Sequence, residues 1–307
     1  MNLSFPIKKW ERLLQRQKVR DQINAYLFLL PALGLFALFS WYPILKTVLY
    51  SFQKVGLRGP AGWVGLNNYV RLLGNPAFAI AWRNVLDFVI LSIIFGFMVP
   101  IVLALMINEM RRYGYIFQVV TYLPTLIPVA IALLVWRFIY APEGGILNST
   151  LKAVGLPSQL WLQNPKLVKF SLIIIMTWMG AGGSVLIYLA ALKEINVEVY
   201  EAAELDGFSP WQRILYITLP LIRTRMAIML VLQIIFVSQV FTEPFILTMG
   251  GPGNSTLTPV LEMYRAAFER SDFGLASAWS VSLLMVLGVF SAIYVGLTRR
   301  SEASRFS

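Results

Sequence analysis

The sequence predicts an all-α integral membrane protein that crosses the bilayer six times, with its N- and C-termini on the cytoplasmic side. Three observations lead there. Of 307 residues, 58% are hydrophobic and only 13% are charged, whereas a soluble domain carries roughly 45–50% apolar and about 25% charged residues. Six separate windows reach the about 20 mostly apolar residues that a helix needs to cross the hydrocarbon: Tyr26–Leu45, Val85–Ile107, Val119–Tyr140, Phe170–Leu192, Ala227–Leu247 and Ala278–Leu297. An even number of spans leaves both ends on one side, and lysine and arginine are densest at those ends, which the positive-inside rule assigns to the cytoplasm.

Residues 1–25 form a cationic arm with Lys8, Lys9, Arg12, Arg16, Lys18 and Arg20. No small-residue cleavage site follows, so the first span reads as a retained anchor. Residues 26–297 form the six-helix domain, and residues 298–307 a cytoplasmic tail with Arg299, Arg300 and Arg305. The other inside segments hold Arg111, Arg112, Lys193, Arg213, Arg223 and Arg225. The opposite loops are longer yet sparser in cations: Lys54, Arg58, Arg71, Arg83, Lys152, Lys166, Lys169, Arg265 and Arg270. Pro31, Pro43, Pro100, Pro124, Pro128 and Pro244 interrupt the spans, each removing a backbone donor; they read as kinks in a packed bundle or as breaks that line a pathway. A formal charge of +11 fits loop cations in an apolar chain better than nucleic-acid binding. Histidine and cysteine are absent, which removes imidazole acid-base catalysis, thiolate nucleophiles, disulfides and Cys/His metal sites. No catalytic or metal site is expected.

The segment 194–220, between the fourth and fifth spans, is the most specific part of the chain. Glu194 to Asp206 suit a helix, and Gly207 is placed to end it in the left-handed conformation. Ser209, Pro210 and Gln212 supply an N-cap, a first-turn proline and a reciprocal capping glutamine for a second helix. Ile214, Leu215, Ile217 and Leu219 give that helix an apolar side, and Pro220 marks a turn toward the fifth span. Ala202 and Ala203 allow close approach by another backbone, and Glu198 and Glu201 lie one turn apart on one face. From the residues alone, this is either a docking surface or a solvated loop on the membrane.

Glu201-Ala202-Ala203, three residues, Gly207, nine residues and then Ile217-Thr218-Leu219-Pro220 resembles the "EAA" loop of importer permeases of the ATP-binding-cassette class. The likeness continues in "LFLLPALGLFALFSWYPI", "VGLNNYVRLL", "ILTMGGPGNST" and "YRAAFERSDFGLASA", and covers essentially the whole chain. These resemble the carbohydrate-uptake permeases, of the maltose F-type or glycerol-phosphate A-type. The resemblance implies a type I importer permease fold in the bacterial or archaeal inner membrane. It also implies a sister permease, two cytoplasmic ATPases and an extracytoplasmic solute-binding protein as partners. Glu198, Glu201, Ala202, Ala203, Asp206 and Gly207 would then form a coupling helix seated in an ATPase cleft. The chain has no G-x-x-x-x-G-K-[ST] phosphate loop, so ATP and magnesium are expected on the ATPase and no cofactor on this chain.

For the solute, Glu243 near the outer end of the fifth span is the clearest intramembrane acid. Gln239 is expected one turn earlier on the same face, with Ser238 and Thr242 as an adjacent polar row. Trp178, Tyr188 or Phe241 could stack on the apolar face of a sugar; the alternative for the acid and amide is a structural bond to unwound backbone. Gly180, Ala181, Gly182, Gly183 and Ser184 suit close helix packing, and Gly250–Asn254 suits a turn that orders its loop or meets a binding protein. With cations almost absent from the spans, a neutral sugar or polyol is favoured over a phosphate. The alternative function is an autonomous ion-coupled transporter, which would show coupling carboxylates deep in several spans.

Overall fold

The computed structural model describes the backbone of residues 7–110 and 112–303, and side chains within 20–110 and 112–296. The side chains of Lys8, Lys9, Arg12, Arg16, Lys18, Arg111, Arg299, Arg300 and Arg305, on which much of the charge asymmetry rests, lie outside the described residues.

Among the described residues, five helices are long and apolar enough to cross a membrane: Arg20–Tyr50, Pro76–Glu109, Val168–Lys193, Pro210–Leu247 and Phe273–Gly296. The third expected span departs from the pattern. In place of one helix over Val119–Tyr140, the chain forms Gly114–Leu126 and Val129–Ile139, bent by 99° at the break. The cause is local. Ile127 precedes Pro128 and is extended (φ −76°, ψ 128°), the conformation that a following proline ring enforces. The broken pair counts as a sixth span only when its two helices are taken together.

Pro43, Pro100 and Pro220 are absorbed without a break. A proline ring in a helix collides with the carbonyl four residues earlier. For Pro43, Pro100 and Pro220 that carbonyl belongs to Phe39, Gly96 and Tyr216. Each of the three lies in a widened π turn, at Ala37–Trp41, Ser92–Gly96 and Ile214–Thr218. The wider turn carries the helix past the ring. Thus Pro220 does not turn the chain as expected; Pro210–Leu247 is one element up to the outer part of the fifth span. The sixth helix extends beyond its expected end, through Ala303.

The core falls into three clusters. Phe97, Ile101, Ala104, Tyr188, Leu192 and Ile222 join the second, fourth and fifth spans at the end that carries segment 194–220. Phe88, Leu133, Tyr140, Leu172 and Val237 join them further along. Leu72, Ala81, Leu257, Leu261 and Trp279 fill the opposite end. There the loops add a β-hairpin, Gln53–Gly56 against Gly59–Trp63, outside the all-α expectation. An ion pair between Lys169 and Asp87 fastens the fourth span to the second. Gly250–Asn254 orders its loop: the buried Asn84 donates to the carbonyls of Asn254 and Leu257 at 2.7 and 2.8 Å. The first span is different, because none of its most apolar window is buried within the chain.

Of the small residues at 180–184, Gly182 makes the close approach. A Cβ there would stand 2.6 Å from the Thr121 carbonyl oxygen and 2.7 Å from Tyr122 Cα, while at Gly183 it would meet nothing within 4 Å. Thr125 adds a hydrogen bond to the Met179 carbonyl at 3.0 Å, so the broken third span is clamped to the fourth. Gly182→Ala is therefore expected to destabilise the protein by about 1–3 kcal/mol, as overpacking against backbone does. Gly183→Ala should leave stability unchanged; thermal unfolding in detergent reads both.

Candidate functional site

Segment 194–220 forms two capped helices. The first runs over Val197–Leu205 rather than from Glu194, because Asn196 intervenes as N-cap and accepts from the Glu198 N–H. It ends as the glycine spacing requires: Gly207 has φ +79°, its N–H reaches the Glu204 carbonyl, and the Phe208 N–H reaches the Ala203 carbonyl at 2.9 Å. This pair of bonds is a Schellman cap. Ser209 and Gln212 then form the expected capping box, with bonds of 2.8 and 3.3 Å.

Two contacts fix the first helix to the base of the fifth span. The Tyr200 hydroxyl lies 3.2 Å from Thr218 Oγ1, inside the π turn, and Glu204 pairs with Arg213 at 3.6 Å. Arg225 pairs with Glu194 at 3.2 Å, where the fourth span ends. Ala203 is buried against the chain itself, which corrects the expectation that Ala202 and Ala203 present themselves together. The outward face instead carries Glu198, Glu201, Ala202 and Asp206, with Val197 and a 90% exposed Leu205 as apolar contacts. Leu205 was missed from sequence; an isolated leucine in an acidic helix carries no signal for which way it points.

Within the spans lies a cavity of about 300 Å³ between the second, fourth and fifth spans. Its polar lining is Ser92, Thr177, Ser184, Tyr188 and Gln233, and no charged side chain borders it. Gln233 donates to the Ser92 carbonyl at 2.8 Å, bonding a π turn from the facing helix. Gly96 packs closely beside it: a Cβ would stand 3.0 Å from Thr177 Oγ1 and 3.2 Å from Gln233 Nε2. The Tyr188 hydroxyl is buried without a hydrogen-bond partner. Gln233 was not singled out from sequence, although an amide in the middle of an apolar run is the signal that could have found it.

Of the sequence candidates, only Tyr188 lines this cavity. Trp178 packs edge-on against Trp136 at 5.6 Å and borders a separate apolar groove with Phe95 and Pro124. Phe241 stacks on Phe245 at 5.0 Å and borders another cavity with Tyr264 and Phe268. Gln239 and Glu243 do not share a helix face, because the fifth span unwinds after Val237 and resumes at Thr242. The freed Val240 carbonyl accepts from the buried Thr258 hydroxyl at 2.9 Å. Gln239 is exposed and bonds the Ile235 carbonyl, while Ser238 bonds the Ile234 carbonyl at 2.7 Å. Glu243 is buried in the first turn of the resumed helix, beside Thr242.

The fold and these two features define a polytopic helical membrane protein with a polar chamber between its spans and a capped helix at one end. A family model described as "Binding-protein-dependent transport system inner membrane component" matches residues 96–303, and the chain belongs to that family. It is similar to the arabinooligosaccharides transport system permease protein AraP of Bacillus subtilis (strain 168), with 32% identity over 89% of this chain and 88% of the relative. It is also similar to the lactose transport system permease protein LacF of Rhizobium radiobacter, 30% identical over 88% and 92% of the two chains. A chain of the crystal structure of a bacterial alginate ABC transporter, in complex with its alginate pentasaccharide-bound periplasmic protein, superposes with a TM-score of 0.81. That likeness, at 29% identity, covers 92% of this chain and 96% of the other.

Tyr188→Phe removes a buried oxygen that has no protein partner. It is expected to leave thermal stability unchanged or to raise it, since an unpaired buried hydroxyl carries a desolvation cost. A loss of about 1–3 kcal/mol in detergent unfolding would instead mean that the hydroxyl is satisfied within the resting protein.

Proposed function

We propose that this chain is the membrane-spanning subunit of an ATP-driven importer for a saccharide, working by alternating access. It pairs with a sister permease, rests on two cytoplasmic ATPases that carry ATP and magnesium, and receives solute from an extracytoplasmic binding protein. The ends of the chain and segment 194–220 face the cytoplasm. The observation that carries this reading is the helix Val197–Leu205: capped at both ends, exposed along Glu198, Glu201, Ala202 and Leu205, and bonded through Tyr200 to Thr218 at the foot of the fifth span. A push on such a helix is delivered to the span and not lost in a loop.

Between two conformations, each ligand can shift the balance only by its difference in affinity for them. ATP closing the ATPases on the inside and a loaded binding protein on the outside supply the two opposing preferences. The chamber lined by Ser92, Thr177, Ser184, Tyr188 and Gln233 is the solute passage. Its hydroxyls and amide match sugar hydroxyls, in keeping with relatives named for arabinooligosaccharides and lactose.

The chain, co-expressed with the sister permease and ATPases and reconstituted in lipid, is expected to hydrolyse ATP faster when one binding protein, loaded from a panel of sugars, is added. Uptake that persists without any ATPase and follows an ion gradient would overturn this reading. Gly207→Asp places a side chain at φ +79° and a carboxylate at a helix C-terminus, both unfavourable. Together with Glu201→Lys, it is expected to lower stimulated uptake on the order of tenfold or more, with the chain still inserted and folded. An intact and fully coupled complex with Gly207→Asp would sink the coupling assignment.

A further inference from the structure

At the end opposite Val197–Leu205, the β-hairpin, the helix Asn67–Leu73 and the turn before the sixth span enclose a pocket of about 490 Å³. Its charged lining is Lys54, Arg71, Arg270 and Asp272, three cations to one carboxylate. Behind it, Glu262 is buried and holds Arg265 at 3.2 Å and Arg270 at 3.0 Å. Each oxygen of both carboxylates already has a partner within the chain. Asp272 accepts from Arg71 at 2.6 Å through Oδ2 and caps the sixth span through Oδ1, which takes the Leu275 N–H at 3.0 Å. The donors are not exhausted. A guanidinium carries five N–H groups and an ammonium three, and among the described residues no acid pairs with Lys54, which is exposed on the hairpin. Arg58 and the exposed Glu269 stand outside the lining.

The backbone around the pocket is braced. Asn68 is buried and donates to the carbonyls of Ser51 and Gln53 at 3.0 and 2.9 Å. Gly274, at the start of the sixth span, lies against the hairpin so closely that a Cβ would stand 2.4 Å from the Gln53 carbonyl oxygen. Ser271, in the pocket wall, holds φ +54°. An unpaired Lys54 and the remaining donors of Arg71 and Arg270 on this braced framework leave a socket for an anion.

We propose that this socket receives a carboxylate side chain, an aspartate or glutamate, of the solute-binding protein. The proposal rests on the importer reading above, which places this end of the molecule outside, where a protein partner delivers solute. The pocket lies among the loops and shares no lining residue with the cavity between the spans, so the acid that fits here is assigned to the docking partner and not to the solute. A charged pair of this kind, partly desolvated on docking, sets orientation and encounter rate as well as affinity.

Lys54 is the residue to change, because no described hydrogen bond of the fold depends on it. In the reconstituted complex with the binding protein that stimulates wild-type ATPase activity, Lys54→Glu is expected to raise the half-saturating concentration of that protein about tenfold, with maximal stimulation kept. Lys54→Gln should raise it less and flatten its salt dependence. Reversing an acid on the docking face of the binding protein to lysine should restore the Lys54→Glu variant. An unchanged half-saturating concentration would overturn the socket while leaving the importer reading intact. A variant that loses uptake of acidic saccharides alone, at unchanged affinity for the binding protein, would also overturn it and give the pocket to solute. Absence of stimulation in the wild type would remove the importer reading and this proposal with it.

Discussion

Every interruption of a helix inside a bilayer frees backbone groups that water cannot reach, and this chain is organised around satisfying them. Pro43, Pro100 and Pro220 each follow a π turn that widens the helix at the carbonyl the ring would strike. Where the fifth span unwinds, Thr258 takes the freed Val240 carbonyl, and Gln233 adds a bond from the facing helix to the Ser92 carbonyl at the head of a π turn. At the break of the third span, Thr125 and Gly182 hold the bent chain to the fourth. Lipid tails are as apolar as the side chains, so packing and such hydrogen bonds, rather than hydrophobic burial, hold spans together.

These repairs also place the functional parts. The π turn at Ser92–Gly96 brings Gly96 beside Thr177 and Gln233 and so forms the floor of the chamber. The π turn at Ile214–Thr218 brings Thr218 to Tyr200, coupling a surface helix to the span above it. In the reading proposed here, the widened turns act as joints between rigid rods: each is already a departure from α geometry. The opposite end is built in another manner, with buried Glu262 and Asn68 tying loops into one surface; in the proposed reading that surface is where a partner docks.

The unburied first span has the same logic. Its apolar residues face outward along the whole window, so the fold of one chain leaves it against lipid or a second subunit. A permease that works as one of a pair, as proposed, has a use for such a helix.

What the sequence by itself determined were features written in adjacent residues. Span positions follow from runs of apolar residues, and the turn at 205–212 follows from Gly207, Ser209, Pro210 and Gln212, whose conformational preferences are local and strong. The family likeness lay in the same short stretches. What only the tertiary structure decided depends on contacts between distant segments. Ala203 turns inward because its helix is tied through Tyr200 to Thr218 and through Glu204 to Arg213, and Gln239 parts from Glu243 because Thr258 can take the carbonyl that unwinding exposes. Tyr188 meets Gln233 only because two spans cross there, and Lys54 meets Arg270 across more than two hundred residues. Hydrophobic periodicity places a helix in the membrane, but in a chain apolar on nearly every side it does not say which face looks at a neighbour.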